Sequence, residues 1–351
     1  MTKTASIKCI PVTEAVGLTL CHDITEIIPG KSKGSAFLRG HIVREEDVEH
    51  LLRLGKEHLY VWEGELPEMR GQVHEDDAAR RMAKAFAGPG VSYGDPREGR
   101  INFKASYQGL FQIHLDLLDS VNSIPHVTVA TAHSLQGVAA GDTLAGTRVI
   151  PLSVPEDTVA AVEECCAGAT SPLLRVLPFR QCRVGIVTTG SEVYSGRIKD
   201  GFGPVLSAKF AAWGSEILGQ EIVPDETDRT AGAILKLIDM GADIVCVTGG
   251  MSVDPDDKTP AAIRAVGCDV VTYGAPVFPG AMFMLGYRGR VPVLGLPGCV
   301  MYHKGSIFDL IMPRILAGLR VCARDISKLA HGGLCKSCPQ CTFPNCAFGK
   351  G

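Results

Sequence analysis

The chain contains no apolar run of the roughly 18 residues that a membrane-spanning helix requires. Its N-terminus, Met1 to Ile10, carries lysines but lacks the apolar stretch of a secretory signal, so a cytoplasmic location is expected. Net positive charge is absent as well. Thirty-five Lys and Arg against 38 Asp and Glu leave −3, so no basic field would hold a nucleic acid backbone. The short basic runs at Arg80–Arg81 and Lys31–Lys33 read as solvated surface. Ten histidines include no His-x-x-x-His pair, and none is assigned to a metal. No internal repeat is present. A hydrophobic fraction of 46% with 21% charge is an ordinary globular balance, and 351 residues favour two or three domains.

Two residue types are abundant instead. Forty glycines exceed average usage, and many stand where strands end. Thirteen cysteines are many for a reducing compartment, and four of them fall between Cys335 and Cys346, a spacing that points to metal rather than disulfides.

Residues 1–66 read as strands around a helix at "REEDVEHLLRLG", which has acids in its first turn and Gly55 as its stop. "AFLRGHIV" and "HLYVWE" alternate like strands. Residues 67–130 read as an inserted segment: a helix at "EDDAARRMAKAFAG", a loop at "GPGVSYGDPREG", helical spacing in "YQGLFQIHLDLLDSV" and a strand at "HVTVATA". Residues 131–180 return to the N-terminal mixed α+β region, with a helix at "EDTVAAVEECCAG". From 181 to 319 buried strands alternate with helices, and "CVMYHKGSIFDLIMPRILAG" reads as one long closing helix. The expectation is an α/β domain, a mostly parallel sheet with helices on both faces, and ligands at the carboxyl ends of its strands. Residues 320–351 form a Cys-rich tail.

Three glycine turns follow three of these strands: Thr188–Thr189–Gly190–Ser191, Thr248–Gly249–Gly250 and Leu296–Pro297–Gly298. Bare amides at such turns suit anions. Aspartates accompany them. Asp200 precedes a helix, and Asp254, Asp256 and Asp257 lie in "TGGMSVDPDDKTP". Carboxylates beside a phosphate site hold Mg²⁺; Asp at a helix start also serves as an N-cap. Spacing leaves both roles open.

Residues 182–319 resemble the molybdopterin-binding domain shared by molybdopterin molybdenumtransferases, molybdopterin adenylyltransferases and gephyrin-type proteins. "GIVTTGSEV", "GSEILGQEIVPD", "DIVCVTGGMSVDPDDKTP", "PVFPGAMFMLG" and "VPVLGLPGCV" carry the likeness, in the right order and at the right separations. The resemblance implies that Thr248, Gly249 and Gly250 cradle a pterin phosphate, with Thr189, Gly190, Ser191 and Ser252 around it. It gives Asp257 and Asp200 the catalytic and metal roles, and Pro279–Gly280 and Pro297–Gly298 the substrate-cleft turns. It implies molybdopterin or its adenylylated form as ligand, Mg²⁺ as cofactor, molybdate as second substrate, a homodimer, and a molybdoenzyme as client. "TEAVGLTLCHDI", the stretch from Arg39 to Glu63 and "GDTLAGTRVIPL" resemble the molybdenumtransferase group in particular. The chain departs from that group at Ala281, where a lysine is common, and at Cys299–Val300, where Asn-Pro is common. The group's middle-domain signature does not show in residues 67–130, and 32 residues after Leu319 leave no room for its C-terminal barrel. Cys299, at a helix start, is expected to have a lowered thiol pKa. Lys304, one turn on, reads as a surface lysine that could also meet a phosphate.

The tail spacing Cys335-x2-Cys338-x2-Cys341-x4-Cys346 is close to the cysteine runs that hold a 4Fe-4S cluster, with one extra residue before the last Cys. A Zn²⁺ site with four cysteines is the rival, and an unmetallated tail the bland alternative. Two functions follow: a molybdenumtransferase-like enzyme that releases AMP as molybdate enters the pterin dithiolene, or a non-catalytic carrier or sensor of the finished cofactor. A nucleotide pyrophosphatase is a third, since competence-damage-type proteins share the domain.

Overall fold

The computed structural model describes residues 7–28, 30, 32–62, 71–252, 254 and 257–350. Asp256 and Lys31, both singled out from the sequence, lie outside them. Among the described residues no helix is long and apolar enough to cross a membrane.

The chain forms two compact units. The first contains the described residues up to 106, with 113–132 and 140–175; the second contains 107–112, 133–139 and 176 onward. Much of the expected insertion therefore clusters with the N-terminal strands in the first unit. That unit is built of small antiparallel sheets. His58–Trp62 runs between Ile7–Pro11 and Thr19–Leu20, and a four-stranded sheet has the order 127–131, 143–149, 101–105, 91–93. The Glu45–Arg53 helix begins where expected, with acids over its first turn, and Gly55 follows at φ 76°. Leu51 joins Leu20, Ile24, Leu59 and Val61 in an apolar core.

Two local expectations fail here. "AFLRGHIV" is a strand only through Phe37, because Leu38 to His41 make a turn with Gly40 at φ 87°. "YQGLFQIHLDLLDSV" is a strand, Gly109–Ile113, followed by a helix, Leu115–Asn122, rather than one helix. His114 caps that helix, its Nδ1 accepting from the Leu117 amide at 3.2 Å.

The second unit holds a six-stranded sheet. Its strands are β1 (Arg183–Thr189), β2 (Glu216–Val223), β3 (Ile244–Thr248), β4 (Asp269–Tyr273), β5 (Met284–Arg288) and β6 (Val291–Leu296), in the order β2-β1-β3-β6-β5-β4. The first four in that order pair in parallel, and β5 and β4 close the edge antiparallel. The α/β architecture is as expected; β4 lacks the continuous apolar run that made its neighbours legible. Helices α1 (Ser191–Tyr194), α2 (Phe202–Ala212), α3 (Thr227–Asp239), α4 (Thr259–Ala265), α5 (Ile307–Leu316) and α6 (Ala323–Ser327) complete the unit.

Alternation along the strands divides the core between the two faces. Ile186, Cys246 and Leu294 pack with Leu206 of α2 and Phe308 of α5. Val187, Val245, Val247 and Val293 pack with Ile234 and Leu237 of α3 and Ile263 of α4. The expected long closing helix is two pieces, a 3-10 turn Gly298–Met301 and α5. Ser306 and Asp309 form a capping box that starts the second piece anew. Residues beyond 320 are not a loose tail: Val321, Ile326, Leu329 and Phe348 are buried in the same core as Phe308.

Phe210 centres an aromatic cluster, 5.9 Å from Trp213 and 5.7 Å from Phe308 between ring centres. Phe210→Ala is expected to cost about 3–5 kcal/mol of unfolding free energy. Urea titration followed by Trp213 fluorescence measures it, and a loss below about 1 kcal/mol contradicts this packing account.

Candidate functional site

Strands β1 and β3 lie side by side with Thr188 opposite Thr248. Beyond Thr248 the chain turns through Gly249 at φ 82° and Gly250 at φ 55°. A Cβ on Gly249 would stand 2.2 Å from the Thr189 carbonyl oxygen. One on Gly250 would stand 2.9 Å from Thr259 Oγ1 and 3.2 Å from Thr189 Oγ1. Positive φ and lack of space both demand glycine. The Thr259 hydroxyl donates to the Gly249 carbonyl at 3.0 Å, and the Thr259 amide to the Gly250 carbonyl at 3.2 Å. Both carbonyls are thus engaged, while among the described residues no acceptor is found for the Gly250 amide.

Two orphaned oxygens lie in the segments that flank this turn. Thr189 Oγ1 is buried with no hydrogen-bond partner, and so is Asp257 Oδ2, two residues before Thr259. A buried polar atom without a partner is costly and calls for an explanation. Here a hydroxyl, a carboxylate oxygen and the Gly250 amide offer partners for an anion and a cation together.

Other expected residues take different places. Thr248 is fully buried, and its hydroxyl turns to the Val187 carbonyl at 3.4 Å and Thr188 Oγ1 at 3.3 Å, not to a ligand. At the first glycine turn the Gly190 amide donates to Val223 O at 3.2 Å. The Ser191 amide donates to Asp225 Oδ2 at 2.7 Å. A carboxylate of the protein already holds the place assigned to an anion. Ser252 is exposed. Asp200 acts as a helix cap: its carboxylate accepts from the Phe202 and Gly203 amides, both at 2.9 Å. Gln220 Nε2 joins Asp200 Oδ2 at 2.6 Å to Thr188 Oγ1 at 2.9 Å, which ties Asp200 to the strand ends. Gln220 and Thr259 were missed in the sequence, since one sits on a half-exposed edge strand and the other reads only as a helix start.

The two Pro-Gly turns differ in their packing. A Cβ on Gly280 would meet Ile307 Cγ2 at 2.4 Å, and the Pro279 carbonyl accepts from the Ile307 amide at 3.3 Å. Pro297 is buried, whereas Gly298 is exposed and has open space around its Cα. Burial pushes the Cys299 thiol above its ordinary value, the reverse of the expected shift. Cys335, Cys338, Cys341 and Cys346 line a cavity of about 750 Å³ that none of these turn residues borders. Among the described residues no three His, Cys, Asp or Glu side chains gather around a single metal ion.

Residues 185–317 match the sequence pattern of a family described as a probable molybdopterin binding domain. Residues 9–63 match a family described only as a domain of unknown function. A molybdopterin molybdenumtransferase of Synechococcus elongatus is 26% identical over 125 residues, 33% of this chain and 31% of that protein. A CinA-like protein of Syntrophus aciditrophicus is 37% identical over 86 residues, 24% of this chain and 20% of that protein. The matches thus span a third or less of these two relatives. The solved structure of a tungsten cofactor synthesizing protein, MoaB from Pyrococcus furiosus, is 21% identical, covering 40% of this chain and 99% of that one at a TM-score of 0.33. The Gly249–Gly250 turn and the orphaned oxygens described above thus lie within the matched residues 185–317.

Two outcomes test this geometry. Gly249→Ala forces a Cβ onto the Thr189 carbonyl at positive φ and is expected to lower stability by about 1–3 kcal/mol in urea titration. At pH 8, alkylation followed residue by residue in a mass spectrometer is expected to modify Cys299 more slowly than exposed Cys9. Faster modification of Cys299 contradicts its raised thiol pKa.

Proposed function

We propose that this chain binds molybdopterin or its adenylylated form through the Gly249–Gly250 turn, and acts as a molybdenumtransferase-like protein in molybdenum cofactor biosynthesis. One observation carries the reading: Thr189 Oγ1 is buried and unpartnered close to Gly249 and Gly250, and Asp257, two residues before Thr259, has a buried oxygen that is likewise unpartnered. A phosphate ester would accept hydrogen bonds from the Gly250 amide and from the Thr189 hydroxyl. Such donors are fixed by the fold before the ligand arrives, so little reorganisation opposes binding. The work of the protein at such a site is positioning and charge neutralisation, without a protein nucleophile.

The residues also fit Mg²⁺, and unequally. Asp257, with its free oxygen, would hold the ion. Asp200 already accepts three hydrogen bonds and has about one acceptor position left, so its first role is to hold the start of α2 and the Gln220 side chain. Mg²⁺ bound there would offset the charge of the phosphate oxygens.

The carrier or sensor reading draws on a specific feature. Gly280 is closed by Ile307, and Ala281 stands where the molybdenumtransferase group commonly has lysine. A cleft with fewer charged groups binds a cofactor without acting on it.

Purified protein mixed with adenylylated molybdopterin, molybdate and Mg²⁺ is expected to release AMP. Asp257→Ala is expected to weaken Mg²⁺-dependent pterin binding by about 10- to 100-fold, the loss of one charge-assisted contact of about 1.5–3 kcal/mol. Tight pterin retention without AMP release supports the carrier. Unchanged binding by the Asp257 variant removes the cradle from the function.

A further inference from the structure

We propose that Cys335, Cys338, Cys341 and Cys346 bind an iron–sulfur cluster of the 4Fe-4S class in the cavity they line. The site is independent of the pterin cradle and does not rest on it.

The loop that carries the thiols is anchored at both ends and poorly supported between them. At its start the Phe278 amide donates to Gly333 O and the Cys335 amide to Phe278 O, both at 2.8 Å. At its end Phe348 is buried, the Gly349 amide donates to Gly332 O at 2.9 Å, and a Cβ on Gly349 would meet Leu310 at 2.3 Å. Cys335 and Cys346 pack against the apolar core. Between them the chain has no helix or strand, and Cys338 and Cys341 are exposed. Ordering such a segment has an entropic cost that its few backbone bonds do not offset. Metal–thiolate bonds offset it in small folds of this kind.

All four thiols are free of disulfides and border the same cavity of about 750 Å³. Lys304, Lys336 and His303 also line it, and no carboxylate does. Four thiolates around a 4Fe-4S core of charge +2 give a net charge of −2, which this lining suits. Ligation forms four iron–sulfur bonds and releases the four thiol protons to water. The Cys-x2-Cys-x2-Cys order is that of cluster-binding runs.

Phe343 and Tyr302 to Gly305 form other parts of the lining. A Cβ on Gly305 would meet the Phe343 ring at 2.7 Å, so ring and glycine seal that wall.

The full chain, purified without oxygen and reconstituted with ferric iron, sulfide and excess dithiothreitol, whose thiols supply the two electrons that take four Fe³⁺ to the two Fe³⁺ and two Fe²⁺ of a +2 core, tests this. About four iron and four sulfide per chain are expected, with a broad visible absorption that dithionite bleaches. Cys338→Ser and Cys341→Ser, at exposed positions, are expected to lower bound iron at least tenfold while circular dichroism stays unchanged. Cys9→Ser is expected to keep it. One zinc per chain that iron does not displace overturns the proposal. So does a Cys338–Cys341 disulfide in the anaerobic protein, or iron retained by both serine variants.

Discussion

At the carboxyl edge of the sheet, the Thr189 carbonyl occupies space that a side chain on Gly249 would need. Much of the site depends on that approach. It brings the end of β1 against the turn after β3 and fixes Gly249 at positive φ. It also brings Thr189 Oγ1 close to both glycines. The first residues of α4 complete the turn by binding both glycine carbonyls. With the carbonyls taken, the Gly250 amide has no acceptor among the described residues. A backbone site of this kind is rigid because each of its parts is held by something other than the ligand.

The sheet beneath is supported from both faces in a similar way. Gly185 in β1 leaves room for Leu237 of α3, whose side chain would lie 2.9 Å from a Cβ there. On the opposite face Phe210, Trp213 and Phe308 interlock edge to face or tilted. Close packing on both sides fixes the heights of the strand ends relative to one another, which is what places Thr188 against Thr248.

Carboxylates show a common pattern in this chain. Asp225 binds the first amide of α1, Asp200 the first amides of α2, Asp309 the Ser306 amide ahead of α5 and Asp325 the Cys322 amide ahead of α6. Burial pushes the Asp309 carboxyl upward, against the pull of the Lys209 ammonium paired with it. Asp325 is partly desolvated, yet its bonds at Cys322 and the nearby Arg314 and Lys328 hold it below the usual range. Asp257 differs from these. One of its oxygens is buried without a partner, which sets it apart from these capping acids.

Local pattern was enough for the parallel strands β1, β3 and β6 and the helices α2, α3 and α4 between the strands, since strands buried on both faces read as apolar runs. It was enough also for the need for glycine after Thr248, and for four cysteines too close together to be unrelated. Tertiary structure decided the rest. Ser306 divides the closing helix because Asp309 answers it, and the strand at Gly109–Ile113 pairs with Gln136–Val138, which lies outside any local window. The Ser191 amide is closed to ligands by a carboxylate 34 residues away. Burial reversed the expected direction at Cys299. Periodicity records which face of an element is apolar. It does not record which distant oxygen will reach a given amide, and that assignment closed the first glycine turn, whose amides are taken by Val223 and Asp225.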